Sequence, residues 1–192
     1  FMKTDSFSLS RRQFIGDSGK IVTGGALAGV ALPVVHGKSD DVTKVALVGC
    51  GGRGTGAASN ALSVSLANGP TKLVAMADVV KSKLDRSYNG LAGKHKEQVD
   101  VPVERRHLGF DGYRKAMDAL DPGDVVIFTT PCAFRWVHFE YAVRKSLNVF
   151  MEKPVTPDGF SSRKMLELNE NAKKKNLKVG IGLMCRHSQA RR

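Results

Sequence analysis

The sequence predicts an α/β fold, a doubly wound parallel sheet with helices on both faces, and three observations carry that prediction. Short, unbroken apolar runs alternate with segments of helical periodicity from Lys44 to Leu183, the pattern of buried parallel strands joined by helical crossovers. A glycine-rich string joins the first apolar run to the first helical segment. The 192-residue chain is 42% hydrophobic and 25% charged, with three cysteines. That composition excludes a wholly disordered chain and a disulfide-stapled miniprotein.

Each element follows from its pattern. Val45-Ala46-Leu47-Val48 reads as a buried strand, Gly49 to Gly56 as a glycine loop and Ala57 to Leu66 as a helix. Lys72 to Ala77 is a second apolar run. The helix Lys81 to Ala92 repeats Leu84, Tyr88 and Leu91 at helical spacing. A weaker strand falls near Val103 to Leu108, then a helix over Asp111 to Leu120 with Tyr113, Met117 and Leu120 on one face. Asp121-Pro122-Gly123 is a turn. Asp124 to Thr129 is a strand, Phe134 to Lys145 a helix and Asn148 to Met151 another strand. The helix Ser161 to Lys175 is expected to open on a serine cap, and Leu177 to Leu183 closes the series. Right-handed crossovers make such a series doubly wound.

The first 38 residues read as an address. Ser10-Arg11-Arg12-Gln13-Phe14-Ile15 is a polar, doubly charged head before Ile21 to Val35, an apolar stretch rich in Gly and Ala. Paired arginines before a weakly hydrophobic segment are similar to a twin-arginine export signal, which implies a periplasmic or otherwise exported protein. No apolar run reaches the length of a membrane span. The net charge of +12 is concentrated late: residues 161–192 hold nine basic side chains and two acidic ones. No aromatic-interleaved basic motif accompanies them, so no nucleic-acid partner is expected. They read as a solvated helix face and an end that another segment covers.

Three motifs fall where a doubly wound sheet binds ligands. Gly49-Cys50-Gly51-Gly52-Arg53-Gly54 follows a strand and opens a helix, the context a G-x-G-x-x-G dinucleotide fingerprint requires. Gly49 permits the tight turn, Gly51 lets the backbone approach a pyrophosphate, and Gly54 allows close helix–strand packing. Arg53 either adds charge at the phosphates or is solvated. Asp78 ends the second strand 24 positions after Gly54. It either binds the adenosine ribose hydroxyls, favouring NAD over NADP, or caps the next helix. Thr129-Thr130-Pro131 and Met151-Glu152-Lys153-Pro154 end the fourth and fifth strands. In the order 3-2-1-4-5-6 these ends converge with the glycine loop on one crevice. A lysine there faces a nicotinamide and its substrate, and Lys153 is the candidate to take up a substrate hydroxyl's proton. Pro154 is expected to hold Lys153 extended.

The glycine loop, the Thr-Pro and the Glu-Lys-Pro together resemble the Gfo/Idh/MocA oxidoreductase family, from about Lys44 to His187. Residues 131–139 look like a longer loop of its exported, twin-arginine subgroup. The resemblance implies a Rossmann-type domain over residues 39–185 that binds NAD through Gly49, Gly51, Gly52, Arg53 and Gly54, with NADP less favoured. It implies Asp78 at the ribose, Thr130 and Pro131 along the cofactor, Lys153 as the active-site lysine and Glu152 near the nicotinamide ribose. His138 falls on a helix where the family often has a histidine near the cofactor. A second α/β domain, which carries most substrate contacts, a histidine and the oligomer interface, is expected to be missing, with residues 186–192 beginning the crossover to it. The implied activity is hydride transfer between the nicotinamide and a hydroxyl of a sugar or polyol, in a homo-oligomer when full length. This chain alone is expected to bind dinucleotide with little or no turnover. The alternatives are an NAD-dependent glycosidase that oxidises its sugar transiently, and a non-catalytic nucleotide-binding fragment. Cys50, Cys132 and Cys185 have no metal or redox spacing and are expected as free thiols, and the five histidines have no metal-ligand spacing.

Overall fold

The first strand, β1 (Thr43–Val48), shows why its apolar run is unbroken. Val45 and Leu47 are buried in one core, and Ala46 and Val48 in another on the opposite face. A strand covered on both sides has no polar face to offer. The computed structural model describes residues 42–64 and 69–188. The expected export segment, the last residues of the predicted helix Ala57–Leu66, and Arg191-Arg192 lie outside the described residues.

The elements follow in order as α1 (Gly52–Ser63), β2 (Thr71–Asp78), α2 (Lys81–Lys94), β3 (Arg106–Leu108), α3 (Gly112–Asp118), β4 (Val125–Phe128), α4 (Arg135–Arg144), β5 (Asn148–Glu152), α5 (Gly159–Lys174), β6 (Val179–Gly182) and the single turn α6 (Met184–His187). The six strands form one sheet in the order β3-β2-β1-β4-β5-β6, and every pair is parallel. This is the predicted doubly wound Rossmann-type fold. The topology reverses between β1 and β4, where Val48 pairs with Phe128. That reversal opens a crevice beyond the strands' carboxyl ends.

Residues of α1 and α2, among them Leu62, Leu84 and Leu91, pack with Leu47, Leu73 and Met76 on one face. On the other, Met117, Phe139, Ala142 and Met165 from α3, α4 and α5 pack on Val126, Phe128, Val149 and Met151. Phe128 and Phe139 are wholly enclosed, and each removes apolar surface worth about 2–3 kcal/mol from water.

Four local expectations change. The glycine loop is shorter than predicted, because α1 begins at Gly52, inside the fingerprint. The front of the third predicted strand, Val103–Arg105, is a 3₁₀ turn. Ser161 is not the cap of α5: Asp158 is, accepting the Ser161 N–H at 2.7 Å. Asp158 competes better because its carboxylate takes both the backbone N–H and the Ser161 hydroxyl. Residues 131–139 form no long loop either; a 3₁₀ turn at Cys132–Phe134 runs straight into α4.

Candidate dinucleotide site

The glycine string makes the crevice's first wall out of backbone. Gly49 has φ +98° and donates its N–H to the Ala77 carbonyl at 2.8 Å. A Cβ there would sit 2.8 Å from the Thr130 nitrogen, so both conformation and space demand glycine. Gly54 is buried on α1, and a Cβ on it would strike the Gly49 carbonyl and the Thr129 hydroxyl. Thr129 Oγ1 donates to the Gly49 carbonyl at 2.5 Å, pinning loop to strand. Gly51 differs: nothing stands within 4 Å of where its Cβ would be. Its absent side chain leaves open space rather than relieving a clash. Gly51 is also the N-cap of α1, with no side-chain cap and no acidic residue in the first turn. The first N–H groups of a helix have no intrahelical acceptors, and they carry the positive end of the helix dipole. The cradle therefore fits a phosphate group, by shape and by charge.

Asp78 closes this wall. Its Oδ2 accepts the Cys50 N–H at 2.6 Å and its Oδ1 accepts the Val80 N–H at 2.8 Å. The carboxylate thus orients the glycine loop and stabilises the turn into α2, while its remaining lone pairs stay open to a ligand. Cys50 is buried, donates its thiol to the Ala77 carbonyl, and is pushed up in pKa by burial and by Asp78. It is an inert thiol.

The second wall is side chains on the ends of β4 and β5. Arg135, at the start of α4, is 2% exposed. Its Nε and Nη2 donate to the Thr130 carbonyl at 3.0 and 2.7 Å, and its Nη1 donates to the Glu152 carbonyl. One guanidinium thereby ties the two strand ends that carry Pro131 and Lys153. Burial draws its pKa down, but a guanidinium stays protonated. His138 lies one helical turn further on, 7% exposed, its Nδ1 3.2 Å from the Thr130 hydroxyl. Its ring packs on Tyr113 at 4.3 Å and stacks on Phe134 at 6.3 Å. Burial first, then the Arg135 charge, push its pKa down to about 4, so the imidazole is neutral near pH 7.

Arg53 does not turn to the cradle. It pairs with Glu152 Oε1 at 2.6 Å, an exposed guanidinium on a carboxylate only 6% exposed. Glu152 fits because β6 offers Gly182 beside it, where a Cβ would come within 2.6 Å of its Oε1. Lys153 is exposed, and its bond to Pro154 is cis.

These walls enclose one cavity of about 810 Å³. Of the expected site residues, Gly49, Gly51, Arg53, Asp78, Thr130, Pro131, His138, Glu152 and Lys153 line it. Gly54 lies behind it, and Gly52 faces a neighbouring groove between α1 and α2. The cavity also holds Phe110 and Phe134, exposed rings 6.3 Å apart, which no pattern in the sequence singles out. Arg135 is a further residue that the motifs miss; a basic residue in a helix's first turn does not set it apart, since Arg53 and Lys81 hold similar places. Among the described residues no cluster of three His, Cys, Asp or Glu side chains is placed to hold a metal ion, and no helix is long and apolar enough to cross a membrane.

No family model matches the chain. Inositol 2-dehydrogenase of Corynebacterium glutamicum is 28% identical over 107 residues, 51% of this chain and 32% of that protein. The chain thus spans about a third of the length of the curated relatives it matches. Scyllo-inositol dehydrogenase from Lactobacillus casei, solved with NAD(H) and scyllo-inositol, superposes with a TM-score of 0.57 at 23% identity, covering 78% of this chain and 38% of that one. A 3-ketoreductase from Actinomadura kijaniata, in complex with NADP and TDP-benzene, superposes with a TM-score of 0.55 at 20% identity, covering 78% of this chain and 40% of that one. In fold and in sequence, the chain resembles the N-terminal, nucleotide-binding portion of Gfo/Idh/MocA-type, inositol dehydrogenase-like oxidoreductases.

Proposed function

We propose that the chain is the NAD-binding domain of an oxidoreductase that moves a hydride between the nicotinamide and a carbon bearing a hydroxyl on a polyol or sugar. One observation carries the reading: the open, uncapped cradle at Gly51, held by Asp78, faces the same cavity as Lys153. When bound, the dinucleotide supplies the hydride acceptor. The α1 N–H groups hold its diphosphate. The Asp78 carboxylate keeps lone pairs for the ribose hydroxyls and repels a 2′-phosphate. Glu152 is held against Gly182 by Arg53, and Lys153 at the rim takes the proton of the substrate hydroxyl. The likeness to inositol dehydrogenases supports the polyol class. The twin-arginine pattern in residues 1–38 supports export by a route that carries folded proteins, which suits a protein that acquires its cofactor first.

Titration with NADH and NADPH tests the cofactor half of the reading. NADH should bind at least about tenfold more tightly, a difference of ~1.4 kcal/mol. Asp78→Ala should erase that preference. Equal affinities in the unaltered protein would remove Asp78 from the ribose site.

A further inference from the structure

Arg135 is the one buried cation among the described residues, and no carboxylate pairs with it. Its nearest acidic neighbour, Glu152, hydrogen-bonds Arg53 with its carboxylate and Arg135 with its backbone carbonyl, so that carboxylate reaches Arg135 only through space. Desolvating a cation without a directly paired anion costs several kcal/mol, which carbonyl dipoles and a carboxylate out of hydrogen-bonding reach offset only in part. A tie between two strand ends does not need a charge; the two N–H donors of a side-chain amide would bridge two carbonyls at lower cost. The charge itself is what the site retains. Arg135 lines the cavity beside Thr130, Pro131, Glu152 and Lys153, the end where the proposed reading puts the nicotinamide.

We infer that Arg135 is a positioning residue that acts through its charge, which biases the bound cofactor toward the reduced, neutral nicotinamide and against the oxidised, cationic one. The inference rests on the dinucleotide reading above. The two forms share the diphosphate, the riboses and the adenine, so attraction of Arg135 to the diphosphate cancels in the ratio of their affinities. Only the ring charge differs. A buried charge is little screened by salt, so the bias persists at high ionic strength.

The test measures dissociation constants for NAD⁺ and NADH with the wild-type chain, Arg135→Gln and Arg135→Lys, with thermal unfolding followed in parallel. The wild type should favour NADH by tenfold or more. Arg135→Gln should lower that ratio about tenfold, ~1.4 kcal/mol, while Arg135→Lys, which keeps the charge and loses the fork, should preserve it. Loss of binding for both forms in equal measure is what a merely structural tie would give, and it overturns the inference. So does a wild-type ratio near one, a ratio retained in Arg135→Gln, or an equal fall in Arg135→Lys. If Arg135→Gln does not fold, the wild-type and Arg135→Lys ratios decide: both high supports the charge, either near one overturns it. If a folded wild type binds neither form, the dinucleotide reading fails and takes this inference with it, an outcome distinct from binding without bias.

Discussion

The two halves of the sheet build their walls of the crevice by different means. On the β3-β2-β1 side the wall is backbone: glycines whose missing side chains either relieve a clash, at Gly49 and Gly54, or leave room, at Gly51. On the β4-β5-β6 side it is side chains, aimed by a buried guanidinium that grips the Thr130 and Glu152 carbonyls. Backbone chemistry recognises what every dinucleotide shares, a diphosphate. Side-chain chemistry differs from protein to protein and sets what is done with the other end. The glycine half should therefore tolerate almost no substitution, whereas the arginine half should yield variants that bind but do not react.

The largest expected effect lies in the second half. In a polypeptide that joins this domain to a substrate domain, Lys153→Ala should lower turnover by at least about a hundredfold, the usual contribution of a positioned acid–base group. Binding of NADH should stay within a few-fold, because Lys153 is exposed at the rim. Turnover near wild type would break the assignment, and loss of cofactor affinity would blur the division between the halves.

In the first half, Gly54→Ala drives a methyl group into the Gly49 carbonyl and toward Thr129 Oγ1 at 2.5 Å. The methyl meets a backbone carbonyl there, which cannot swing aside as the end of a flexible side chain would. Overpacking of this kind costs about 1–3 kcal/mol or more, and the loop that moves is the cradle. Chemical denaturation and NADH titration should show both stability and affinity reduced. Gly51→Ala, placed in open space, should spare stability and reduce affinity alone. Equal stability losses for the two would contradict the distinction between a packing glycine and a clearance glycine.

A further effect, confined to the side-chain half, shows only as pH falls. His138 in the folded protein titrates at about 4, below its ordinary 6.5, so the unfolded chain takes up the proton first as pH falls. Its contribution to stability is whole above about pH 6.5 and is lost as pH drops toward 4, by up to ~3 kcal/mol. His138→Phe should flatten that part of the stability–pH curve when unfolding is followed between pH 7 and 4.5. An unchanged slope would mean that the imidazole titrates alike in the folded and unfolded chain.

How far the sequence can be read follows the same division. The apolar runs mark five of the strands, most plainly where a strand is covered twice, as at Val45–Val48; β3, Arg106-His107-Leu108, carries no such run, and the strand order follows from the doubly wound pattern rather than from any one run. The cradle is legible because glycine spacing in a strand–helix context has few other causes, and Asp78 is legible from its place at a strand end. Arg53 turning to Glu152, and Gly182 making room for that carboxylate, are not, since both depend on β5 and β6 lying side by side in register. Ser161 passes for a cap because a serine and an aspartate three positions apart both suit that place, and only the geometry of the turn at Asp158 decides. Arg135 escapes because its partners are main-chain carbonyls, which no residue type announces.

The central claim is that the cradle beginning at Gly49 holds a dinucleotide's diphosphate, with the nicotinamide lying toward Lys153. A crystal structure of the chain with NADH tests it most directly. Diphosphate oxygens should lie within hydrogen-bonding distance of the first backbone N–H groups of α1, and the adenosine ribose against Asp78. A cradle filled by the protein's own chain, or a cofactor lodged elsewhere, would contradict it.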